Sequence, residues 1–306
     1  MSAPATDPFP SVREPRPGPR RRLRTLLAAV AGLALAGSLA APALAGSAPS
    51  PAPSIPAGAG ITAWNTPVCG SNNFVPIDLG HGDYLNVYNE QDGQSCVQVE
   101  RHRLSWFVAS RSGSVTGWQY PNISSGIEWG RYTCYDGRSA HPGHGSECMR
   151  YPVREDQDGH PLTSVTYFPH LERGNVAYDI WFNRTDVKPD KLGQDDGAEV
   201  MIWLAHPGVT IPASSVCWDA TIQGRRYQVM CWRAFRNGVG WNYLAYIAET
   251  PVTTLPPTWL NEVFRNAIAH GELSPDWYLT AIDFGSEMNA GGVGFAVKRY
   301  SLTGVR

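Results

Sequence analysis

The sequence is poor in the features that mark metal centres, nucleic-acid binding and membrane spans. Its six cysteines include no C-x-x-C pair, so a thiolate metal site is not indicated, and neither a metal nor another cofactor is expected. Charged residues make up only 17% of the chain and form no basic stripe, so nucleic acid is not an expected partner. The apolar run at residues 26–41 spans about 16 residues, whereas a membrane helix needs ~20. The sequence therefore favours a globular domain without a membrane anchor.

The N-terminal segment is typical of an export leader followed by a linker. A basic stretch at residues 20–24 precedes the apolar run, and Ala43-Leu44-Ala45 supplies a cleavage site of small residues. This order predicts a signal peptide over residues 1–45, with the general and the twin-arginine export routes both open. Residues 46–60 are rich in Pro, Ala, Ser and Gly and predict a linker. We therefore expect a secreted, extracellular protein with one catalytic domain at residues 61–306.

Removal of the leader changes the net charge of the protein. The leader holds six Arg and two acidic residues, a charge of 6 − 2 = +4, so the mature protein carries −2 − 4 = −6. An acidic domain gives no reason to expect an anionic substrate, and a neutral polysaccharide fits better. We expect the mature protein to be a monomer that does not bind membranes.

Export would place the six cysteines under oxidising conditions, where pairing is the default. Six cysteines allow 15 pairings, so their connectivity cannot be read from the sequence alone. Their order along the chain suggests three local disulfides, Cys69–Cys96, Cys134–Cys148 and Cys217–Cys231.

The sequence after the linker consists of short β-branched and aromatic segments separated by Gly, Pro, Asn and Asp. Residues 104–108, 164–168 and 243–247 are examples. This spacing predicts an all-β fold, a two-sheet β-sandwich or jelly roll. Residues 258–270 differ, because their apolar side chains recur at helical spacing and Gly271 follows them. One packed helix is therefore expected.

The segment at residues 198–204 places one carboxylate in an apolar strand. Strand alternation gives this segment two faces, Val200, Ile202 and Leu204 on one, and Glu199, Met201 and Trp203 on the other. A carboxylate in such a strand is costly unless it has a partner or a task. A glutamate on a solvent-facing strand is the simpler interpretation. A sugar cleft explains the whole face, because aromatic and thioether surfaces receive sugar rings.

A second carboxylate lies in a similar strand near the C-terminus. Alternation over residues 277–287 puts Asp283, Gly285 and Glu287 on one side, and Gly285 would clear space beside the acid. The two glutamates are 287 − 199 = 88 positions apart in separate strands. Such a pair fits the two carboxyls that glycoside hydrolysis requires, although spacing alone does not establish it.

Several blocks of the sequence, taken in order, resemble glycoside hydrolase family 12, the small secreted β-1,4-glucanases. The nucleophile strand of that family, E-[IV]-M-I-W, matches residues 199–203. Its acid/base segment, W-Y-L-T-x-x-x-x-G-x-E, matches residues 277–287, and its Y-D-I-W strand matches residues 178–181. The downstream G-x-G-[LF]-A-V motif matches residues 292–297. The resemblance covers roughly residues 62–304 of the chain.

The resemblance implies a concanavalin-like jelly roll with a concave substrate cleft, and it implies roles for individual residues. Glu199 would be the nucleophile, Glu287 the general acid/base, and Asp179 the residue that supports Glu199, although a buried strand aspartate without a task stays equally open. The carboxyls of Glu199 and Glu287 would lie about 5–5.5 Å apart, and the charge of Glu199 would raise the pKa of Glu287. The substrate would contact Met201, Trp203 and Tyr88.

The chain departs from the family in two places. Met288 follows Glu287, where many members have Pro, and the N-N-x-W-G loop with its stacking Trp is replaced by residues 86–93. These departures leave open a non-catalytic glycan-binding jelly roll descended from such an enzyme. As an enzyme, the protein is expected to be a retaining endo-β-1,4-glucanase. Its preferred substrate among cellulose, mixed-linkage β-glucan and xyloglucan is not determined by the sequence.

Overall fold

The structure, a computed structural model, describes residues 67–69, 73–78, 84–90, 95–100, 105–111, 119–128, 131–132, 153–155, 159–185, 196–236 and 238–305. The expected signal peptide at residues 1–45 and the linker at residues 46–60 lie outside these described residues, so both stay predictions. In the part that is described, no helix is long and apolar enough to cross a bilayer.

The described residues are mostly β-strand, as the short alternating segments predict. The strands, in chain order, are β1 (Val68–Cys69), β2 (Asn73–Asp78), β3 (Tyr84–Glu90), β4 (Ser95–Glu100), β5 (Ser105–Arg111), β6 (Tyr120–Glu128), β7 (Arg131–Tyr132), β8 (Val153–Arg154), β9 (Gly159–Phe168), β10 (Leu171–Asn183), β11 (Ala198–Ala205), β12 (Val216–Ile222), β13 (Arg225–Arg236), β14 (Val239–Ala248), β15 (Thr254–Trp259), β16 (Tyr278–Gly291) and β17 (Ala296–Val305). One α-helix, α1 (Asn261–Ala269), and a short 3-10 helix at Ala213–Ser215 accompany them.

The strands form two sheets. A six-stranded sheet has the order β1-β4-β5-β17-β9-β15. An eleven-stranded sheet has the order β12-β13-β14-β11-β10-β16-β6-β3-β2, and β7 and β8 add to it by pairing with β6 and β16. Neighbouring strands of the described chain are antiparallel except for β11 and β14, which are parallel. The central strands β11, β10 and β16 therefore bring together segments that are far apart in the sequence.

The main core lies between the two sheets and takes alternate residues from each strand. The six-stranded sheet contributes Trp106 and Tyr167, and the eleven-stranded sheet contributes Tyr178 and Phe284, all fully buried. The ring of Phe284 lies 4.7 Å from that of Tyr178 and 6.0 Å from that of Tyr167, measured between centroids. Burial of each side chain of this size contributes about 1.5–3 kcal/mol. The predicted two-sheet β-sandwich is confirmed.

The eleven-stranded sheet has a second face that points away from the main core, which we call the outer face. Strand β11 alternates between the two faces as predicted, with Val200, Ile202 and Leu204 in the main core. Met201 and Trp203 lie on the outer face and pack in a separate cluster with side chains of β10, β13 and β14. The period of two along β11 thus decides which side chains are available for function.

Helix α1 closes one side of the main core. Val263, Phe264 and Ala267 are buried, and the ring of Phe264 meets that of Phe182 edge-on at 5.0 Å. The helix stops before Gly271, whose φ of +76° is a left-handed conformation that favours glycine. The predicted helix is confirmed, with a shorter span than the apolar stripe suggests.

Two disulfides join neighbouring strands. Cys69–Cys96 links β1 to β4, and Cys217–Cys231 links β12 to β13. Both are pairs that the cysteine order suggests. The expected pair Cys134–Cys148 lies outside the described residues.

Candidate active site

Both candidate glutamates lie on the outer face, on strands separated only by β10. Glu199 of β11 pairs in register with Trp181 of β10, and Glu287 of β16 pairs with Asn175 of β10. Each glutamate is partly buried. Strand pairing thus brings two segments that are 88 positions apart in the sequence to one surface, as the alternation of each strand predicts.

The carboxylate of Glu199 is held by an aromatic neighbour. Trp241 of β14 donates its indole Nε1–H to Oε2 of Glu199 at 2.6 Å. Trp241 is itself nearly buried and packs against Trp181, with ring centroids 5.8 Å apart. A hydrogen bond to a charged acceptor is short and strong, and it stabilises the ionised form of the carboxylate. Trp241 therefore orients the carboxylate of Glu199.

Glu287 has a different environment. The buried amide of Asn175 donates a hydrogen bond from Nδ2 to Oε2 of Glu287. Burial raises the pKa of the Glu287 carboxyl, and the hydrogen bond from Asn175 opposes this rise only in part. The direction agrees with the sequence-based expectation. The cause does not, because the expectation invokes the charge of Glu199, whereas the loss of solvent around the carboxyl is the dominant effect.

The chain around Glu287 is held by a partly buried network that involves Arg111 of β5 and Gln119, the residue before β6. Gln119 and Met288 exchange two backbone hydrogen bonds, of 3.1 and 2.7 Å. The guanidinium of Arg111 also bonds to Gln119 and donates to three carbonyl oxygens near the end of β16, those of Met288, Asn289 and Gly291. The backbone that carries the Glu287 side chain is thus held from two directions.

The replacement of the family's Pro by Met288 has a structural reason. The backbone N–H of Met288 donates to the carbonyl of Gln119 at 2.7 Å, a bond that Pro cannot make because it has no N–H. The Met288 side chain is fully buried in the main core. Met288 in place of Pro therefore adds a backbone hydrogen bond next to Glu287 and leaves the glutamate itself in place.

Gly285 allows a close approach between strands and does not leave open space beside the acid. A Cβ at this position would lie 2.3 Å from the carbonyl oxygen of Pro121 and 2.6 Å from Cβ of Asn122. The sequence-based expectation of free space is therefore wrong, because strand β6 fills it. The glycine instead lets β6 pack tightly against the strand that carries Glu287.

Asp179 lies between the two glutamates on the outer face. It is opposite Met201 of β11 and opposite Asp283 of β16, which makes it a diagonal neighbour of Glu199. Asp179 is 6% exposed and Asp283 is not exposed. Diagonal neighbours on antiparallel strands are within reach of long side chains, so the position is compatible with support of Glu199. The hydrogen bond between the carboxyls of Asp179 and Glu199 stays a prediction.

The pKa of the Tyr243 phenol is affected by all three predicted acids, Glu199, Glu287 and Asp179. Its pKa lies well above the ordinary value, mainly because of burial, and the charges of Glu199, Glu287 and Asp179 each raise it further. Coulombic effects of this kind fall with distance, so all three carboxylates lie near one hydroxyl group. This agrees with the strand register, which places the three predicted acids on neighbouring strands of the outer face.

The predicted substrate contacts are only partly described. Met201 and Trp203 are buried, and the thioether of Met201 accepts hydrogen bonds from the Tyr243 hydroxyl at 3.0 Å and from Trp203 Nε1 at 3.3 Å. The backbone of Tyr88 pairs with that of Asn122, but its side chain lies outside what the structure describes. Contact of these three residues with substrate stays a prediction.

Sequence reasoning missed the residues that support the acids. Asn175 has the same strand parity as Asp179, so this signal was present in the sequence. Trp241 and Tyr243 also alternate on one strand, but only the parallel pairing of β14 with β11 reveals which acid they meet. Within the described residues, no group of three or more His, Cys, Asp or Glu side chains is arranged to hold a metal ion.

A β-sandwich whose outer face gathers two unlike carboxyls beside aromatic rings has the architecture of a glycoside hydrolase. Glycosyl hydrolase family 12 matches the chain over residues 84–304, which is most of its length. The chain belongs to this family and is a glycoside hydrolase of the cellulase and endoglucanase type. The fold is accordingly the β-jelly-roll sandwich of the family, and the non-catalytic alternative is not retained.

Individual relatives agree with this assignment. The chain is 31% identical over 140 residues to a probable cellulase Cel12b of Mycobacterium tuberculosis, covering 45% of this chain and 87% of that protein. It superimposes on endoglucanase cel12A from Rhodothermus marinus with a TM-score of 0.63 and 27% identity, over 78% of this chain and 98% of the other. A family 12 xyloglucanase from Bacillus licheniformis, 20% identical over 78% of this chain and 99% of its own, shares the fold with a TM-score of 0.55.

Proposed function

We propose that the protein is a secreted endo-β-1,4-glucanase that cleaves β-glucan with retention of configuration. The observation that carries this proposal is the unlike treatment of two carboxyls on one face. Glu199 receives an indole N–H, whereas Glu287 is desolvated and holds its proton more firmly. A retaining glycosidase needs this division, because one carboxyl attacks as an anion and the other arrives with a proton.

The reaction proceeds by double displacement. In the first step, Glu287 protonates the glycosidic oxygen while Glu199 attacks the anomeric carbon, so the glycosidic bond breaks and a covalent glycosyl-enzyme forms. In the second step, the Glu287 carboxylate accepts a proton from water, and this water attacks the anomeric carbon and releases Glu199. Two inversions give net retention. Direct attack requires a carboxyl separation of about 5–5.5 Å in the substrate complex.

The remaining predicted residues act through these two acids or through the sugar. Asp179 is a positioning residue that fixes the rotamer of Glu199 from its diagonal position on β10. Met201 and Trp203 lie beneath the sugar that is bound next to Glu199. Tyr88, which lies on β3, contacts another sugar of the chain. No cofactor takes part in this mechanism.

The substrate is proposed to be a neutral β-1,4-linked glucan such as cellulose, mixed-linkage β-glucan or xyloglucan. The relatives' names include a cellulase, an endoglucanase and a xyloglucanase, which supports this substrate class. The net charge of −6 that the leader leaves behind also suits a neutral polymer. We further propose that the mature protein acts outside the cell as a monomer, without membrane or nucleic-acid partners.

The direct test uses the purified mature domain on the three polymers. We expect release of reducing sugar from at least one of them, with a rapid fall in viscosity that marks endo cleavage. The first anomer in the proton NMR spectrum should be the β form. Glu199→Gln provides the matched control because it keeps the shape of the side chain. An α product, or a Glu199→Gln variant as active as the parent, would contradict the mechanism.

A further inference from the structure

Trp232 is a large aromatic side chain that the proposed mechanism leaves without a role. It is 39% exposed on β13, whereas Trp181, Trp203, Trp241 and Tyr243 of the outer face are buried. Three further large apolar side chains of the described residues are exposed, but Phe168 and Trp259 belong to the six-stranded sheet. The third, Phe235, lies three positions from Trp232 on the same strand and faces the other way.

The position of Trp232 connects it directly to the active site. It pairs in register with Tyr243 of β14, and Tyr243 pairs in register with Glu199 of β11. The rings of Trp232 and Tyr243 are stacked, with centroids 3.8 Å apart and planes 22° apart. The hydroxyl of Tyr243 in turn reaches Met201. One exposed indole therefore continues the surface on which the catalytic acids lie.

The ring is also held in place before any ligand arrives. Tyr243 covers one of its faces, and Met230 and Ala234 flank it on the same side of β13. The disulfide Cys217–Cys231 ties the neighbouring residue to β12. A ring that is already ordered loses little conformational freedom on binding, which favours the use of its open face for a ligand.

We propose that Trp232 is a stacking subsite for a glucosyl unit of the polysaccharide, at the β13 side of the active site. This proposal rests on the proposed β-glucanase function. The apolar face of a pyranose ring matches a single exposed aromatic face, and a neutral sugar needs no counter-charge there. An isolated ring that is continuous with a carboxylate pair fits a polymer lying across the strands better than it fits a protein partner, which would need a broader apolar patch.

The sheet order gives this subsite a consequence for substrate choice. Trp232 stands on β13, two strands from β11, whereas β3, where the family's stacking Trp is missing, lies beyond β16 and β6. Trp232 thus adds an aromatic contact on the β13 side of the active site, opposite to the side of β3. A substrate must be long enough to reach that strand before it gains from the indole, so the effect of Trp232 grows with chain length.

The test compares Trp232→Ala with Phe235→Ala, a more exposed aromatic residue on the opposite side of the same strand. For cellohexaose or β-glucan, Trp232→Ala should raise KM about tenfold with kcat within about twofold, whereas a short aryl cellobioside should be little affected. Phe235→Ala should change neither constant. Trp232→Tyr should recover most of the affinity, which a purely structural role would not explain.

Binding is measured separately so that the subsite and the enzyme function can fail independently. In the Glu199→Gln background, titration calorimetry with cellohexaose should show about tenfold weaker binding once Trp232→Ala is added. Equal affinity in the two proteins, or no binding of cellohexaose by the parent, would overturn the subsite. Binding that depends on Trp232 in a wild-type protein that hydrolyses no glucan would keep the subsite and refute the proposed function.

Discussion

The outer face holds two partly buried carboxyls, those of Glu199 and Glu287, and their surroundings differ chemically. Around Glu199 the neighbours are aromatic, and the indole of Trp241 donates a hydrogen bond to its carboxylate. At Glu287 the amide of Asn175 donates to the carboxyl, and Gln119 holds the backbone of the next residue, Met288. An indole N–H on an otherwise apolar wall stabilises an anion, whereas desolvation beside an amide keeps a proton bound. One sheet thus gives the two glutamates different surroundings, as the proposed division between nucleophile and acid/base requires.

The largest effect is expected from removing either acid. Glu199→Ala should lower hydrolysis of every substrate by several orders of magnitude, because no glycosyl-enzyme can form. Glu287→Ala should lower polysaccharide cleavage strongly, but activated aryl glycosides with good leaving groups should still form the covalent intermediate. Steady-state rates on a β-glucan and on an aryl cellobioside measure both effects. If Glu287→Ala loses the same activity on both substrates, Glu287 does not act as the general acid.

The next effect concerns the aromatic half of the face. Trp241→Phe keeps the ring but removes the donor to Glu199, so kcat/KM should fall about 10- to 100-fold, as expected for a hydrogen bond to a charged group. Trp218→Phe is the matched control, because its indole donates to Asn266 at 3.1 Å away from the acids. If both variants lose the same activity, the donor to Glu199 has no special role.

The amide half of the face should control the pH profile. Asn175→Ala removes the hydrogen bond that lowers the pKa of Glu287, so that pKa should rise further. The general acid then keeps its proton to higher pH, and the alkaline limb of kcat/KM should move to higher pH. Asn266→Ala removes an amide elsewhere and should leave the limb in place. A limb that moves down would show that Asn175 does not act on Glu287.

The smallest effect is on stability. Burial raises the pKa of Glu287 in the folded protein, so between the unfolded and the folded pKa the folded state binds more protons. The stability contribution of this group is therefore complete at low pH and is lost as pH rises through the folded pKa. Glu287→Gln should therefore raise Tm at pH 7 and raise it less near pH 4, as thermal unfolding at the two pH values measures.

Glu249→Gln is the control for this stability prediction. Glu249 is a surface residue that pairs with Arg226 at 3.0 Å, so its replacement removes an ion pair and no buried charge. It should not stabilise the protein at any pH. For Glu287→Gln, the quantity compared is the difference in Tm from the parent protein at the same pH. A smaller increase at pH 7 than at pH 4 would mean that burial of the charged carboxyl does not destabilise the fold.

What the sequence predicts well in this protein is local. The period of two along residues 198–204 and 277–287 places both glutamates on the correct face, and the helical spacing before Gly271 locates α1. These patterns depend only on neighbouring residues and on burial of one face, so they can be read without knowing the tertiary fold. Strand parity also puts Asn175 on the same side as Asp179.

What the sequence does not predict is non-local. Trp241 meets Glu199 across 42 positions and through the parallel pairing of β11 with β14, and Asn175 meets Glu287 across 112 positions. Register between distant strands is set by the packing of the whole sheet, which no short pattern contains. The cause of the Glu287 pKa shift is hidden for the same reason, because desolvation depends on everything that surrounds the carboxyl.

The most direct test of the central claim, that Glu199 is the nucleophile and Glu287 the acid/base, is the anomeric configuration of azide products. With an activated aryl glycoside and azide, Glu199→Ala should give the inverted α-glycosyl azide, because azide takes the place of the missing nucleophile. Glu287→Ala should give the retained β-glycosyl azide, because azide attacks the covalent intermediate. Proton NMR of the two products distinguishes these outcomes. Swapped configurations would reverse the two roles and contradict the account.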